Sequence, residues 1–413
     1  MLQVDHVYEF LYQNLFNDFD VYYSANRFQE PSHASLNNMH IFTPGWHTTK
    51  KIYFYDQEPL LSRISERYFD VFDFPSNFDN DSLVKMCESG NMLYDFPVPS
   101  REHLEYGVTY PNAKYKKKII VTSEISTLFD YYSEKYSANK LYYFFHGFAA
   151  LDWYRGFYAL NYNKQVIRKY TYDYITFNRL VSNDRSYRCY FVSLLAAEML
   201  LEHGQISFGL AAEQANWQEE IADSNTKLSV RSINHIKLHL PSTPLIIDNE
   251  HVLGSASADI PRCANDSFWH IVTETVFYYD KLHLTEKIFK PIVMKQPFML
   301  VAAPGNLAYL KSYGFKTFEG IIDESYDLIQ DNDQRIEAVV AQIAWYCALS
   351  AEEKQQVIEA ITPIVEYNFH HFYGEFKHII TRELLDNCKN LFKEIGYNDS
   401  NIAYEDIYKT LIN

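Results

Sequence analysis

Short apolar runs alternate with longer amphipathic stretches along most of the chain, the pattern of strands and helices following one another. KIYFYDQEP (51–59), KKKIIVTSE (116–124) and NKLYYFFHG (139–147) each read as a buried strand that runs into polar residues. YDYITFNRL (172–180) reads as a further strand, as do FWHIV (268–272) and PFMLVA (297–302). Residues 186–202 carry Tyr190, Leu194, Leu195, Met199 and Leu201 at helical spacing, with Gly204 as the stop. TEKIFKPIVMKQ predicts another helix with Thr285 as its N-cap, since a threonine hydroxyl can accept from an orphan first-turn amide. From Arg335 onward helical spacing dominates, with Pro363 the one proline.

Strand, helix and strand in both halves predict an α/β protein of two doubly wound, Rossmann-like domains facing a cleft, with a helical C-terminus. The polar, basic NYNKQVIRKY lies between two strongly apolar sections and sets the boundary. The expected division is 1–165, 166–375, and C-terminal helices over 376–413 that pack back on the first domain. Such sheets bind ligands outside the carboxyl ends of their strands, so chemistry is sought there.

A chain of 413 residues exceeds what one core usually supports, and 47% hydrophobic against 22% charged residues excludes a disordered protein. The net charge of −16 argues against a protein that coats nucleic acid, leaving only a local basic groove, for which Lys116 and Lys117 in YPNAKYKKKII are available. The aromatic fraction of 17% is read as core. Five cysteines without CxxC spacing predict neither a zinc site nor a disulfide framework. An N-terminus without a basic and apolar leader, and no apolar run of membrane length, predict a cytoplasmic protein with no membrane span.

The densest chemistry is in FWHIVTETVFYYDKLHLTEKIFKPIVMKQPFMLV. A strand ends at Glu274 and Thr275, and Thr285, Glu286 and Lys287 then open a helix whose amides and dipole can receive phosphate. Glu286 can accept from ribose hydroxyls, Lys287 can neutralise phosphate, and Glu274 can hold a base or sugar hydroxyl. The plainer alternative is a capped helix with Lys287 in solvent. In FNRLVSNDRSYRCYFVSLL, Arg179, Arg185 and Arg188 gather at a strand-to-helix junction, a diphosphate clamp or else partners of Asp173 and Asp184.

Together these segments resemble the nucleotide-sugar-binding half of GT-B glycosyltransferases, most closely the α1,3-fucosyltransferase family. There a strand ending in an acidic polar pair precedes a TEK-type helix start and a PV-type strand. The matching residues are Glu274 with Thr275, then Thr285, Glu286 and Lys287, then Gln296 and Pro297, within a stretch of about residues 172–318. The resemblance implies that Glu286 binds ribose, Lys287 the diphosphate, and Glu274 the base or sugar, with Arg179, Arg185 or Arg188 as pyrophosphate partner. The chain departs from the family at Thr275, at Val276 and at Pro291, which interrupts the helix, so the identity of the donor does not carry over.

An inverting transferase needs a carboxylate or imidazole to take the acceptor's proton. The first half offers Asp56 and Glu58 in YDQEPLL, Glu124 in VTSEIS, and His146, Asp152 and Arg155 in FFHGFAALDWYRGF. Asp152 is preferred over His146 and Glu58. It follows a turn at Gly147 and neighbours Trp153 and Tyr154, which can stack on the acceptor, and Arg155, which can orient it. The DxD pairs, Asp331 with Asp333 among them, lie in polar context and are read as solvated carboxylates, so no metal is expected. The expected function is inverting, metal-independent transfer of a sugar from a nucleotide-diphosphate donor, without a bound cofactor. Asn and Tyr richness with scarce Gly resembles a phage gene. That makes 5-hydroxymethylated DNA one acceptor, in the host cytoplasm, and a surface glycan or lipopolysaccharide the other. A nucleotide-binding module without turnover and a virion-associated protein are the non-enzymatic alternatives.

Overall fold

The structure is a computed structural model that describes residues 51–54, 118–122, 138–154, 170–208 (without 179 and 182–184), 217–222, 226–241, 265–395 (without 279–280) and 403–411, with isolated positions 125, 127, 130 and 245. The chain divides into two compact units, Met1–Asp152 with Lys377–Asn413, and Trp153–Phe376.

In the first unit, β1 (Lys51–Phe54), β2 (Lys118–Thr122) and β3 (Ala138–Tyr142) form a parallel sheet in that order, with Ile52 opposite Ile119 and Val121 opposite Leu141. β3 stops earlier than its apolar run suggests. After Tyr143 and Phe144 the chain turns into α1 (Phe145–Trp153), and Gly147 donates to the Phe144 carbonyl inside the first turn of that helix. Unbroken hydrophobicity cannot separate a buried strand from the buried helix that follows it.

The second unit is α/β with a four-stranded parallel sheet. Its elements are β4 (Tyr172–Asn178), α2 (Tyr187–Ala197), β5 (Gly204–Phe208), α3 (Trp217–Ala222), α4 (Val230–His239), β6 (Ser267–Thr273), α5 (Glu286–Val293), β7 (Phe298–Val301), α6 (Asn306–Ser312), α7 (Asn332–Cys347) and α8 (Ala351–His371). The strand order is β5-β4-β6-β7. Every residue of β6 is buried, so SFWHIVT shows no polar alternation: a central parallel strand is covered on both faces. Because β5 flanks β4 on one side and β6 on the other, the order reverses between β4 and β6, and the crevice outside their carboxyl ends is the position where such sheets bind ligands.

Two sequence expectations change here. α2 ends at Ala197, Met199 takes a left-handed φ of 55°, and Gly204 opens β5 instead of stopping a helix. Pro291 does not interrupt α5, which runs through it to Val293.

After α8 a π-helical turn, Phe372–Phe376, leads into α9 (Lys377–Ile395) and then α10 (Tyr404–Leu411), which belong to the first unit. α9 packs on β3, with Asn387 donating to the Tyr142 carbonyl at 2.8 Å, and the His378 and Tyr408 rings stack at 5.0 Å between α9 and α10. No described helix is long and apolar enough to cross a membrane.

One buried β6 side chain makes stability depend on pH. His270 is 4% exposed, and burial, aided by Lys290, pulls its imidazole down to about 3. The unfolded chain takes up this proton near pH ~6.5, whereas the folded one refuses it until about pH 3. His270 therefore costs nothing above pH ~6.5 and removes about 1.4 kcal/mol per pH unit below it. Urea midpoints measured from pH 7 to 4.5 should fall more steeply for the native chain than for His270→Gln. Parallel curves would reject this account.

Candidate functional site

The carboxyl ends of β4 and β6 and the start of α5 meet in a hydrogen-bonded cluster. Glu274, the first residue beyond β6, is fully buried, and its amide bonds the Val301 carbonyl at 3.0 Å, extending the β6–β7 pairing by one residue. Its carboxyl turns toward α5. One oxygen accepts from the Thr285 amide at 3.1 Å, and the other from the Thr285 hydroxyl at 2.5 Å and the Thr275 amide at 3.2 Å. Thr285, thus fixed, is the N-cap of α5, its hydroxyl accepting from the Lys287 amide at 3.4 Å. Lys287 reaches back over the same turn to the Thr275 hydroxyl at 3.1 Å, the Thr285 hydroxyl at 3.2 Å and the Glu286 carboxyl at 3.3 Å. The Glu286 side chain is 5% exposed and that of Lys287 28%, so the cation is the group that meets solvent.

The loop entering α5 is equally tied. Asn306, buried at the start of α6, accepts from the His283 amide at 2.9 Å and donates to the Lys281 and Ala303 carbonyls at 2.9 and 2.8 Å. From the α2 side, the Tyr187 hydroxyl donates to the Glu274 carbonyl at 2.5 Å and its ring stacks on Phe277 at 4.1 Å. Ser186 shares a 2.7 Å hydrogen bond with the Tyr278 hydroxyl. Burial raises the Tyr187 phenol against the lowering effect of Arg188, which keeps it a donor.

Arg188 bridges the two strand ends, donating from one terminal nitrogen to Leu180 at 2.9 Å and from the other to Thr273 at 2.8 Å, both backbone carbonyls. Among the described residues its Nε has no hydrogen-bond partner, nor has Oδ1 of Asn178, the last residue of β4, and both atoms are buried. Asn178 donates to Thr176 at 3.1 Å. Two unmet buried polar atoms at one switch point are uncommon and point to a binding position, since native interiors pair such groups.

Several expected roles are corrected by this geometry. Glu274 holds the start of α5, and its carboxyl is engaged within the chain and not offered to a base or sugar. Arg188 spends both terminal nitrogens on backbone carbonyls as a strut between strand ends, which leaves only its Nε for a ligand. Arg185 lies half-buried just before α2. Tyr154 is fully buried, donates to the Glu286 carbonyl at 3.4 Å and has its phenol raised by burial and by Glu286, so it is no stacking platform. Asp173 pairs with His203 at 3.0 Å and Lys354 at 2.7 Å in place of an arginine. Asp331 caps α7 by accepting from the Gln334 amide, and Asp333 accepts from Ser229 and Ser232 at 2.5 and 2.7 Å, so this DxD pair is engaged in helix starts and is not simply solvated.

Of the first-half candidates, His146 is buried on the first turn of α1, next to the carboxyl end of β3. Asp152 stands on the last turn of α1, away from any glycine turn. The side chains of Asp152 and Trp153, and the whole of Glu58, Arg155, Lys116, Lys117 and Arg179, lie outside the described residues.

The sequence reading set Asn178 beside Arg179 at the strand end without giving it a role, and missed Tyr187 and Asn306 as parts of this site. Asn178 alone had a signal, an amide closing an apolar strand. No protein-family model matches the chain, and neither the curated proteins nor the solved structures yield a match.

Proposed function

We propose that the chain is an inverting glycosyltransferase of GT-B type, in which the second unit holds a nucleotide-diphosphate sugar at the carboxyl ends of β4 and β6 and the first unit supplies the general base. The observation that carries this reading is the β4/β6 switch point, where a half-buried Lys287 at the start of α5 accompanies the unmet polar atoms of Asn178 and Arg188. Glu274 and Glu286 already answer the positive end of α5, so helix amides alone would hold a phosphate weakly. The diphosphate therefore depends on Lys287, with Arg179 or Arg185 as second cation, and Glu286 is kept for ribose. The transfer is proposed as metal-independent, because cationic side chains neutralise the leaving diphosphate. His146 is preferred to Asp152 as the base, since it follows the strand end directly. The acceptor is a hydroxyl of 5-hydroxymethylated DNA or of a glycan.

The test is a panel of nucleotide sugars with both acceptors, read by mass spectrometry of products and by thermal shift. A donor at a hundred times its Kd adds about 2.7 kcal/mol of stability. Lys287→Ala should keep its fold and bind the donor about 1.5 to 3 kcal/mol more weakly, the loss of one charge-assisted contact. In the same assay His146→Gln should turn over at least about a hundredfold more slowly with donor binding intact. No shift with any nucleotide, or unchanged donor affinity in Lys287→Ala, would reject the assignment.

A further inference from the structure

Asp173, His203 and Cys347 come together at the amino end of β4, away from the site described above. Asp173 is the second residue of β4, His203 closes the 3-10 turn Leu201–His203 that leads into β5, and Cys347 ends α7. Asp173 lies five residues before Asn178, about 16 Å along the strand. One ligand atom from each of the three lies within 4.8 Å of the other two. The distances are those of a cluster that a single ion can span: the Asp173 Oδ2 and His203 Nδ1 atoms are 3.0 Å apart, and two bonds of about 2.0–2.1 Å to a shared metal fit between them with a slight opening.

We propose that Asp173, His203 and Cys347 bind a divalent transition-metal ion of the zinc class, in a three-ligand site whose fourth position is open to solvent. The donor set is one carboxylate oxygen, one imidazole nitrogen and one thiolate, the mixture that borderline-soft zinc takes and that magnesium and calcium do not. The outer surroundings fit as well. Lys354 holds the other Asp173 oxygen at 2.7 Å, orienting the carboxylate as partners of metal ligands commonly do, and leaves Oδ2 toward the cluster. The His203 side chain is 45% exposed, which gives both an entry path and room for a water ligand.

Binding exchanges the thiol proton of Cys347 for the metal, with the proton released to solvent, and uses His203 in its neutral form with the Nδ1 lone pair on the ion. Burial and the neighbouring Asp173 push the bare thiol up to about 12, so without metal it is protonated and inert as a nucleophile. The bound ion would join β4, the entry to β5 and the end of α7, a cross-link at the amino edge of the sheet that takes no part in sugar transfer. Sequence spacing could not reveal it, because its ligands come from three distant segments.

The full-length chain, stripped with a chelator, is titrated with Co2+ and followed by absorption. One equivalent should bring up a thiolate-to-cobalt charge-transfer band and the intense visible bands of four-coordinate cobalt, and Zn2+ should abolish both. Cys347→Ser should lose the charge-transfer band, which separates Cys347 from the other cysteines, and His203→Ala should weaken Co2+ binding at least about tenfold. His203 is half-exposed, so its variant tests the site even if Cys347→Ser does not fold. The proposal is overturned by absence of the bands in the native chain, by a charge-transfer band that survives in folded Cys347→Ser, or by unchanged affinity in His203→Ala.

Discussion

Arg335→Ala is expected to lower the stability of the second unit by about 4 kcal/mol or more. Arg335 is 2% exposed, and its guanidinium donates to the carbonyls of Ala302 (2.9 Å), Ile329 (2.8 Å), Gln330 (3.3 Å) and Phe277 (2.8 Å) and to the Asn332 side chain (2.7 Å). Truncation strands several acceptors at about 1–3 kcal/mol for each that water cannot reach, and leaves a cavity as well. Lysine should recover only a fraction, because a point-like ammonium cannot reproduce a planar fork facing carbonyls in several directions. Urea unfolding should show a lower midpoint at unchanged m for both variants, and a loss below about 1 kcal/mol for Arg335→Ala would reject this role. The effect should extend to the candidate site. The guanidinium lies 4.3 Å from the Phe277 ring centre, Phe277 stacks on Tyr187, and Tyr187 bonds the Glu274 carbonyl.

What the sequence made legible follows from the range of each interaction. β6 and β7 stood out as apolar runs because burial on both faces removes alternation, and Thr285 could be read as a cap because its partner amide is two residues away. β5 was hidden, since QISF is short and Gly204 looks like a helix stop. The glycine is needed for another reason: the Tyr174 ring occupies the space a Cβ would take, at 2.2 Å, while the Tyr174 hydroxyl bonds the Leu200 carbonyl at 2.9 Å. Pro291 looked like a breaker. The amide it lacks would have served the Lys287 carbonyl, and α5 ends two residues later in a closed turn, Gln296 donating to the Pro291 carbonyl and Lys295 at φ 52°. Glu274 and Arg188 were recognised as chemically capable, but their directions are set by elements brought together only in the folded sheet. Both face their own chain.

Glu274→Ala is expected to cost about 3 to 5 kcal/mol of stability, and the comparison with Glu274→Gln decides what the carboxyl is for. Alanine abandons the Thr275 amide and the Thr285 amide and hydroxyl in a site with no exposure, each unmet group costing about 1–3 kcal/mol, partly relieved if water enters. Glutamine keeps one acceptor for the Thr285 amide and sets an NH2 group opposite the Thr275 amide. One acceptor contact is thereby kept, so the cost should drop to about 1–2 kcal/mol. If Glu274 serves the start of α5, Glu274→Gln loses stability while its folded fraction binds nucleotide sugar nearly as well as the native chain. Lys287→Ala should show the reverse, a stable protein with weakened donor binding. Urea midpoints and donor titrations on the two variants separate the roles. A Glu274→Gln variant with a native midpoint and abolished donor binding would put the carboxyl on the ligand, as the resemblance to fucosyltransferases implied, and would mean that the inward orientation of Glu274 belongs to the ligand-free chain alone.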